Sequence, residues 1–599
     1  MRSRSTSSLI SSTAPLGSML ARSATLTIAI LFFAWSATQA CAQDSPSNQP
    51  VSIQGTVVNS VTHEPIGRAQ VYSPDNRFAA MTDDQGHFEM PAPQQTTSGG
   101  GGSGLLMIVG GSGGLTLTAR KPGFLPERSG EPNRVVPGAN DLTISLVPEA
   151  ILMGRILLEG PDSRDEVQVQ LFHREIRDGL ARWTPQNIVN TNSRGEYRFA
   201  ELYPGDYRVG THEVPDRDPE DFVPGAKTYG YPPVYFPEAS DFPSSTIIHL
   251  LPGKVFQADI SLARRQYYPI KISLANVPPE GAPINVNVTV RGDGAPGYSL
   301  GYEQSDRTIR GMLPNGTYVI EATNYSQQGA TGLMNLRVEN APVENGSMTL
   351  LPNGSIDVQV KEEFTLTPPA QEGVDFSING GGDRGRMNRQ VQQRYLNVML
   401  EPFSDFGQGR GANLRPPAGP NDKSLVIENV APGRYWVRVN SSRGYAASVS
   451  SGGVDLLRAP LGVGLGGSAA PIEMTMRDDM ASFDGTVEGA NPQLASLDSS
   501  GTAGPQYSGP LAYVYFIPQA DSPGQFTQAW VSPDGKINSQ QVVPGVYRIF
   551  AFKHPQNDLE YRNAEAMRAY ESKGQLVRLI GGQTEHLRLQ LSKAGEDAD

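Results

Sequence analysis

Short stretches of strict apolar–polar alternation recur along the chain. They include Leu142-Thr143-Ile144-Ser145-Leu146, Ala258-Asp259-Ile260-Ser261-Leu262, Ile472-Glu473-Met474-Thr475-Met476 and Leu587-Arg588-Leu589-Gln590-Leu591. A period of two places every second side chain on one face of a strand, so each stretch predicts a half-buried β-strand. Between them runs a second signal: Pro, Gly, a variable residue, an aromatic, then an apolar or β-branched run. It reads Pro204-Gly205-Asp206-Tyr207-Arg208-Val209, Pro432-Gly433-Arg434-Tyr435-Trp436-Val437 and Pro544-Gly545-Val546-Tyr547-Arg548-Ile549. A looser copy, Pro314-Asn315-Gly316-Thr317-Tyr318-Val319, has one residue inserted. Pro followed by Gly predicts a type II turn, after which the aromatic opens a strand with its ring in the core.

Upstream lies a third element. Thr82-Asp83-Asp84-Gln85-Gly86-His87-Phe88, Thr191-Asn192-Ser193-Arg194-Gly195-Glu196-Tyr197 and Ser532-Pro533-Asp534-Gly535-Lys536-Ile537 read as hairpins with glycine where φ must be positive. Gly195 and Gly535 each precede their Pro by nine residues, so hairpin and turn form one module. The prolines at 204, 314, 432 and 544 lie 110, 118 and 112 residues apart, about one sandwich domain. The expected units are 51–148, 149–265, 266–352, 353–477 and 478–592, laid out as a string, with a disordered tail at 593–599. The first has a Gly-rich insert, 98–114, where its Pro-Gly turn should stand. Other Gly- and Pro-rich loops fall at 375–391, 403–423 and 491–509. One helix is expected near the C-terminus, 557–573, with Leu559, Met567 and Tyr570 on its apolar face and Gly574 ending it.

Composition agrees with many short strands: 38% of the 599 residues are hydrophobic, with 65 Gly and 48 Pro. Residues 1–42 read as a signal peptide, with Arg2, Arg4 and Arg22 before an apolar run from Ala24 to Ala37 and small residues at Ala40-Cys41-Ala42. The polar lead is long, so Met1 and Met19 compete as the start. Cys41, the one cysteine, is either a lipid-modified first residue or part of the cleavage site. Thr38 and Gln39 favour the second reading. Removing the leader takes away three arginines and no acid, which moves the formal charge from −12 to −15. So acidic a chain without a basic run is a poor partner for nucleic acid. No later stretch predicts a membrane-spanning helix, so the chain is expected in the periplasm, at the outer membrane or outside the cell.

Ile53-Gln54-Gly55-Thr56-Val57-Val58, Pro65-Ile66-Gly67-Arg68-Ala69-Gln70-Val71, Thr82 to Phe88 and Leu115 to Phe124 together resemble the carboxypeptidase regulatory-like domain. Units two, four and five resemble it more loosely, and unit three least. The resemblance implies a mainly β fold of tandem transthyretin-like (prealbumin-like) antiparallel β-sandwiches in an exported protein of Gram-negative type. Similar modules bind starch or build collagen adhesins, so it also implies carbohydrate binding or surface adhesion. The domain accompanies a peptidase without being the catalyst.

Catalytic patterns are weak. None of the seven histidines (His63, His87, His173, His212, His249, His554, His586) has Glu three residues on, and no two share a metal-ligand spacing. A Gly-x-Ser-x-Gly match, Gly110 to Gly114, lies in the Gly-rich insert, not at a strand-to-helix turn. Asp83, Asp84 and Asp534 lack the staggered ligands of a calcium loop. No cofactor is implied and no enzyme is expected.

The densest aromatic cluster is the loop 221–245. Tyr229, Tyr231, Tyr235 and Phe236, with Phe222, Phe242 and Asp221, would suit a polysaccharide if the rings were exposed; buried, they would pin the loop to its own sandwich or between units two and three. Tyr507, Tyr513, Tyr515 and Phe516 form a weaker patch in which Tyr513 and Tyr515 read as core. The expected function is non-catalytic binding or scaffolding, with a polysaccharide, a cell-surface glycan or other envelope proteins as partners. A structural or adhesive surface protein and an accessory module of a separate secreted enzyme are the alternatives.

Overall fold

The computed structural model describes residues 52–592 apart from 92–114, 129–132, 136–141, 160–165, 216–226, 278–282, 291–292, 327–328, 366–395, 404–405, 407–408, 418–421, 491–509, 521, 533 and 538–540. The leader with Cys41, the Gly-rich insert, Asp221, Phe222, Tyr507 and the tail fall outside the described residues.

One strand plan is repeated five times. Each unit opens with a strand whose parallel neighbour is the strand that closes the same unit. Ser52–Asn59 pairs with Leu142–Pro148, Ala150–Leu158 with Val255–Gln257 and Ile260–Leu262, and Arg265–Ala275 with Val343–Thr349. Gly354–Glu363 pairs with Ile472–Arg477 and Ala481–Glu488 with Thr584–Ser592. The opening strand's antiparallel neighbour is His87–Pro91, Glu196–Leu202, Thr308–Pro314, Val426–Val430 or Gln541–Val542 in turn. The facing sheet is centred on a second antiparallel pair, such as Leu396–Pro402 with Gly433–Ser441. Period-two side chains from both sheets fill a separate core in each unit. The protein is therefore a tandem array of β-sandwiches.

The hairpins form as their glycines require. Gly86, Gly195 and Gly535 have φ of 74°, 75° and 81°. In the first two, Asp83 and Asn192 Oδ1 accept from the amides two and four residues on.

The Pro-Gly element differs from the expected type II turn. Gly205 and Gly433 take φ of 152° and 154° instead of about 80°. They are the first paired residues of their strands, opposite Leu250 and Val463. The tyrosine two residues later closes the corner: Tyr207, Tyr318, Tyr435 and Tyr547 each donate their hydroxyl to the carbonyl four residues upstream, at 2.8, 2.9, 2.8 and 2.5 Å. The bond gives each of these hydroxyls a backbone acceptor.

The helix is shorter than expected, Ala564–Arg568, begun by Asn563, whose Oδ1 accepts from the amides of Glu565 and Ala566. Leu559, Tyr561, Met567 and Tyr570 all face the aromatic surface of Tyr515, Phe550 and Phe552. Positions 559 and 561 cannot share one helical face, so turns replace the first part of the predicted helix.

The units do not form a string. Residues from 51 onward gather into one compact body. Unit two touches all four others, through a strand exchange with unit three and a long hairpin, Gln168–Arg177 with Leu180–Asn190, that reaches units four and five.

Candidate functional site

From Lys227 on, the aromatic loop lies between units, with Tyr231, Tyr235 and Phe242 turned inward. Thr228–Tyr231 leaves unit two and joins unit three's sheet, setting Thr228 against Tyr267 and Tyr229 against Gln266. Val214–Pro215 pairs with it on the outer side. Alternation then sends Tyr231 into unit two's core, fully buried, where its hydroxyl donates to the Glu159 carbonyl at 3.0 Å. Tyr229 is half-buried beneath the Arg264 guanidinium, 4.8 Å from its ring centre.

Tyr235 is buried and lies on Gly210, where a Cβ would stand 2.3 Å from the ring. It packs edge-on against Phe242, and both join Phe172 and unit four's Phe406 in one cluster. Phe236 is half-buried, edge-on to Phe256. Of the two arrangements open to these rings, burial holds at Tyr231 and Tyr235, while Phe236 is partly covered. A ring with both faces in protein contacts offers none to a ligand, and these rings join units two, three and four.

Sequence reasoning missed the hairpin that meets units four and five. Its tip, Asp178-Gly179, has φ of 52° and 73°, as a two-residue turn of this kind demands. That dipeptide, Asp-Gly between apolar runs, was the available signal. The tip seats on unit five: a Cβ on Gly179 would stand 2.6 Å from the Tyr561 ring, and the Arg562 amide donates to the Gly179 carbonyl at 3.1 Å.

Charges surround the contact. Arg174 pairs with Glu560 and Arg438 with Asp178. Glu401 accepts from Arg438 Nε at 3.0 Å and from Arg182 Nη1 at 3.4 Å. Arg562 lies over the Trp436 ring at 4.7 Å.

At the seam of units two and three, Glu213 Oε1 accepts from both the amide and the hydroxyl of Ser299 at 2.7 Å. Its Oε2 is buried without a protein partner among the described residues. Burial outweighs the two hydrogen bonds and raises this carboxyl to about 7. Burial also lowers His173 and His212 below the usual histidine value.

Four of the histidines stand beside carboxylates. His87 stands by Asp83, His249 by Asp206, His586 by Asp484, and His173 by Glu175. Among the described residues no group of three or more His, Cys, Asp or Glu is placed to hold a metal ion. Among them, too, no helix is long and apolar enough to cross a membrane.

One aromatic pair does meet solvent. Trp530, 42% exposed, lies on Thr527–Val531 at an edge of unit five's sheet, directly opposite Tyr513. Tyr513 and Tyr515 both point away from the core reached by Val514; Tyr515 is covered by the segment after 556, and Tyr513 is half-buried at the border of the same aromatic cluster.

No family model matches the chain, and no curated protein matches it. Among solved structures it is similar to the Bacillus anthracis TIE protein, at 13% identity and a TM-score of 0.15, over 50% of this chain and 50% of that one. It is also similar to GBS52, the minor pilin of Streptococcus agalactiae, at 15% identity and a TM-score of 0.16, over 35% of this chain and 95% of that one. A streptococcal ancillary pilin overlaps 50% of this chain and 100% of its own, at 10% identity and a TM-score of 0.17. The chain spans half the length of the TIE protein. The β-sandwich fold follows from the strand pairing, not from these overlaps.

Proposed function

We propose that the protein is an exported, non-catalytic scaffold of the cell envelope, structural or adhesive in role and built from carboxypeptidase regulatory-like sandwiches. The observation that carries this reading is unit two's position as a hub. Its aromatic loop, its exchanged strand and its hairpin are all spent on joining units, so the most distinctive residues of the chain serve assembly. The leader-like start and the acidic mature charge support export. Treating intact producing cells with proteinase K, followed by fractionation, tests it. Loss of the protein from an envelope fraction is expected; full-length protein confined to the cytoplasm would sink the proposal.

A second reading, polysaccharide binding, is favoured by the exposed Trp530 beside Tyr513. Paired rings offer flat apolar faces to sugar C–H groups and a hydroxyl at their edge. Affinity electrophoresis through gels cast with a panel of polysaccharides decides between the two. Retardation by one glycan that is lost in Trp530→Ala supports the binding reading, and migration unchanged in every gel leaves the scaffold alone.

A further inference from the structure

Where units two, four and five meet, two buried donors lack acceptors among the described residues. Arg182 is 7% exposed and Trp436 6%. Arg182 Nη1 is engaged with Glu401, while its Nη2 is buried with no protein partner. Trp436 stands directly across the strand pair from Glu401, and its Nε1 is also buried and unpartnered. The two orphaned N–H groups therefore belong to the two side chains that flank one carboxylate.

That carboxylate is already committed, one oxygen to Arg182 Nη1 and the other to Arg438 Nε. Arg562 adds positive charge to the same place. Its neighbours Arg174 and Arg438 hold carboxylates, whereas Arg562 lies against ring faces, Trp436 at 4.7 Å and Tyr561 at 6.0 Å.

We infer that this junction is an oxyanion site, taking a small anion of the phosphate class between units two, four and five. Arg182 Nη2 and Trp436 Nε1 donate to its oxygens, and Arg562 supplies the matching charge. The chemistry selects the occupant. Both orphaned groups are donors with no acceptor capacity of their own, so whatever meets them must accept. A tetrahedral oxyanion presents acceptors in several directions and gains from charge-assisted bonds to guanidinium. A water molecule would accept as well, but it carries no charge to match the guanidinium groups. Bound there, the anion ties unit two's hairpin to the outer face of unit four's sheet and to the segment around Arg562.

Thermal unfolding of the purified protein with inorganic phosphate, against sodium chloride of equal ionic strength, tests the site. A saturable rise in Tm of a few degrees at about 10 mM phosphate is expected, because a ligand bound only by the folded state stabilises it. Trp436→Phe keeps the ring stack and removes only the N–H; it should lose at least half of the rise. Arg182→Met should abolish it. Should Arg182→Met fail to fold, the phosphorus NMR line of phosphate replaces it as the readout: the wild-type protein should broaden the line, and Trp436→Phe should broaden it less. No rise and no broadening with the wild type would overturn the inference. So would a rise that Trp436→Phe leaves intact, which would mark phosphate as acting elsewhere on the surface.

Discussion

The Tyr318 hydroxyl donates to the carbonyl of Pro314, whereas Tyr207, Tyr435 and Tyr547 reach the residue just before their proline. The inserted Asn315 has moved the proline into the acceptor position without changing the four-residue span of the bond. The corner is thus set by the tyrosine, and the proline is free to drift by one place. Tyr318→Phe is expected to cost about 1 kcal/mol, the usual net value of a buried hydrogen bond. Urea denaturation should show a lower midpoint at unchanged m-value; an unchanged midpoint would mean the corner is held by ring packing alone.

Gly179 and Gly582 have nearly the same φ, 73° and 72°, yet Gly179 faces the Tyr561 ring while nothing among the described residues stands within 4 Å of a Cβ on Gly582. Alanine at 582 meets only backbone strain, on the order of 1 kcal/mol. Alanine at 179 meets that strain and a clash with unit five, so it should cost roughly twice as much. It should also speed hydrogen exchange in 556–563, which Gly582→Ala would leave unchanged. Equal effects of the two substitutions would argue that the hairpin tip is not docked.

Glu213 gives the seam of units two and three a dependence on pH. Its folded value of about 7 lies above the ordinary carboxylate value of 4.5, so folding favours the protonated form. Its contribution is fully present below pH 4.5 and falls as pH rises toward 7, by about 3 kcal/mol at most. Glu213→Gln removes this term. The variant should match the wild type in acid and exceed it in stability at pH 8; denaturation curves that run parallel at both pH values would contradict the assignment.

Tyr235 and Trp530 separate anchoring from display. Tyr235→Ala empties a ring from a cluster shared by units two and four and should cost about 3–5 kcal/mol. Trp530→Ala removes a ring that is 42% exposed on an edge strand and should change stability by less than about 1 kcal/mol. Calorimetry on both variants checks this, and a large loss of Tm in Trp530→Ala would mean that the ring is structural.

The β-sandwich class and the hairpins were legible because they are local. Alternation and a glycine at positive φ are each settled within a few residues, as in Leu142 to Leu146 or around Gly195. The loop 221–245 showed its aromatic density but not its direction, since exposure depends on a partner strand in unit three that no local pattern announces. Arg182, Glu401 and Trp436 were invisible for the same reason: the first lies 219 residues from the second, and only the folded-back arrangement brings them together. The Asp178-Gly179 turn was readable, but where its hairpin docks was not.

Because first and last strands run parallel in every unit, the chain enters each sandwich at one pole and leaves at the other. In unit five the two strands stay in register from Ser482 opposite Thr584 to Glu488 opposite Gln590. A pull on the two ends of such a unit slides these strands lengthwise past each other. The hydrogen bonds between them are then loaded together and must give way as a group, where an antiparallel hairpin pulled from its open end would unzip one bond at a time. Each sandwich is in this sense a shear clamp, resisting tension along the same axis on which the chain passes to the next unit.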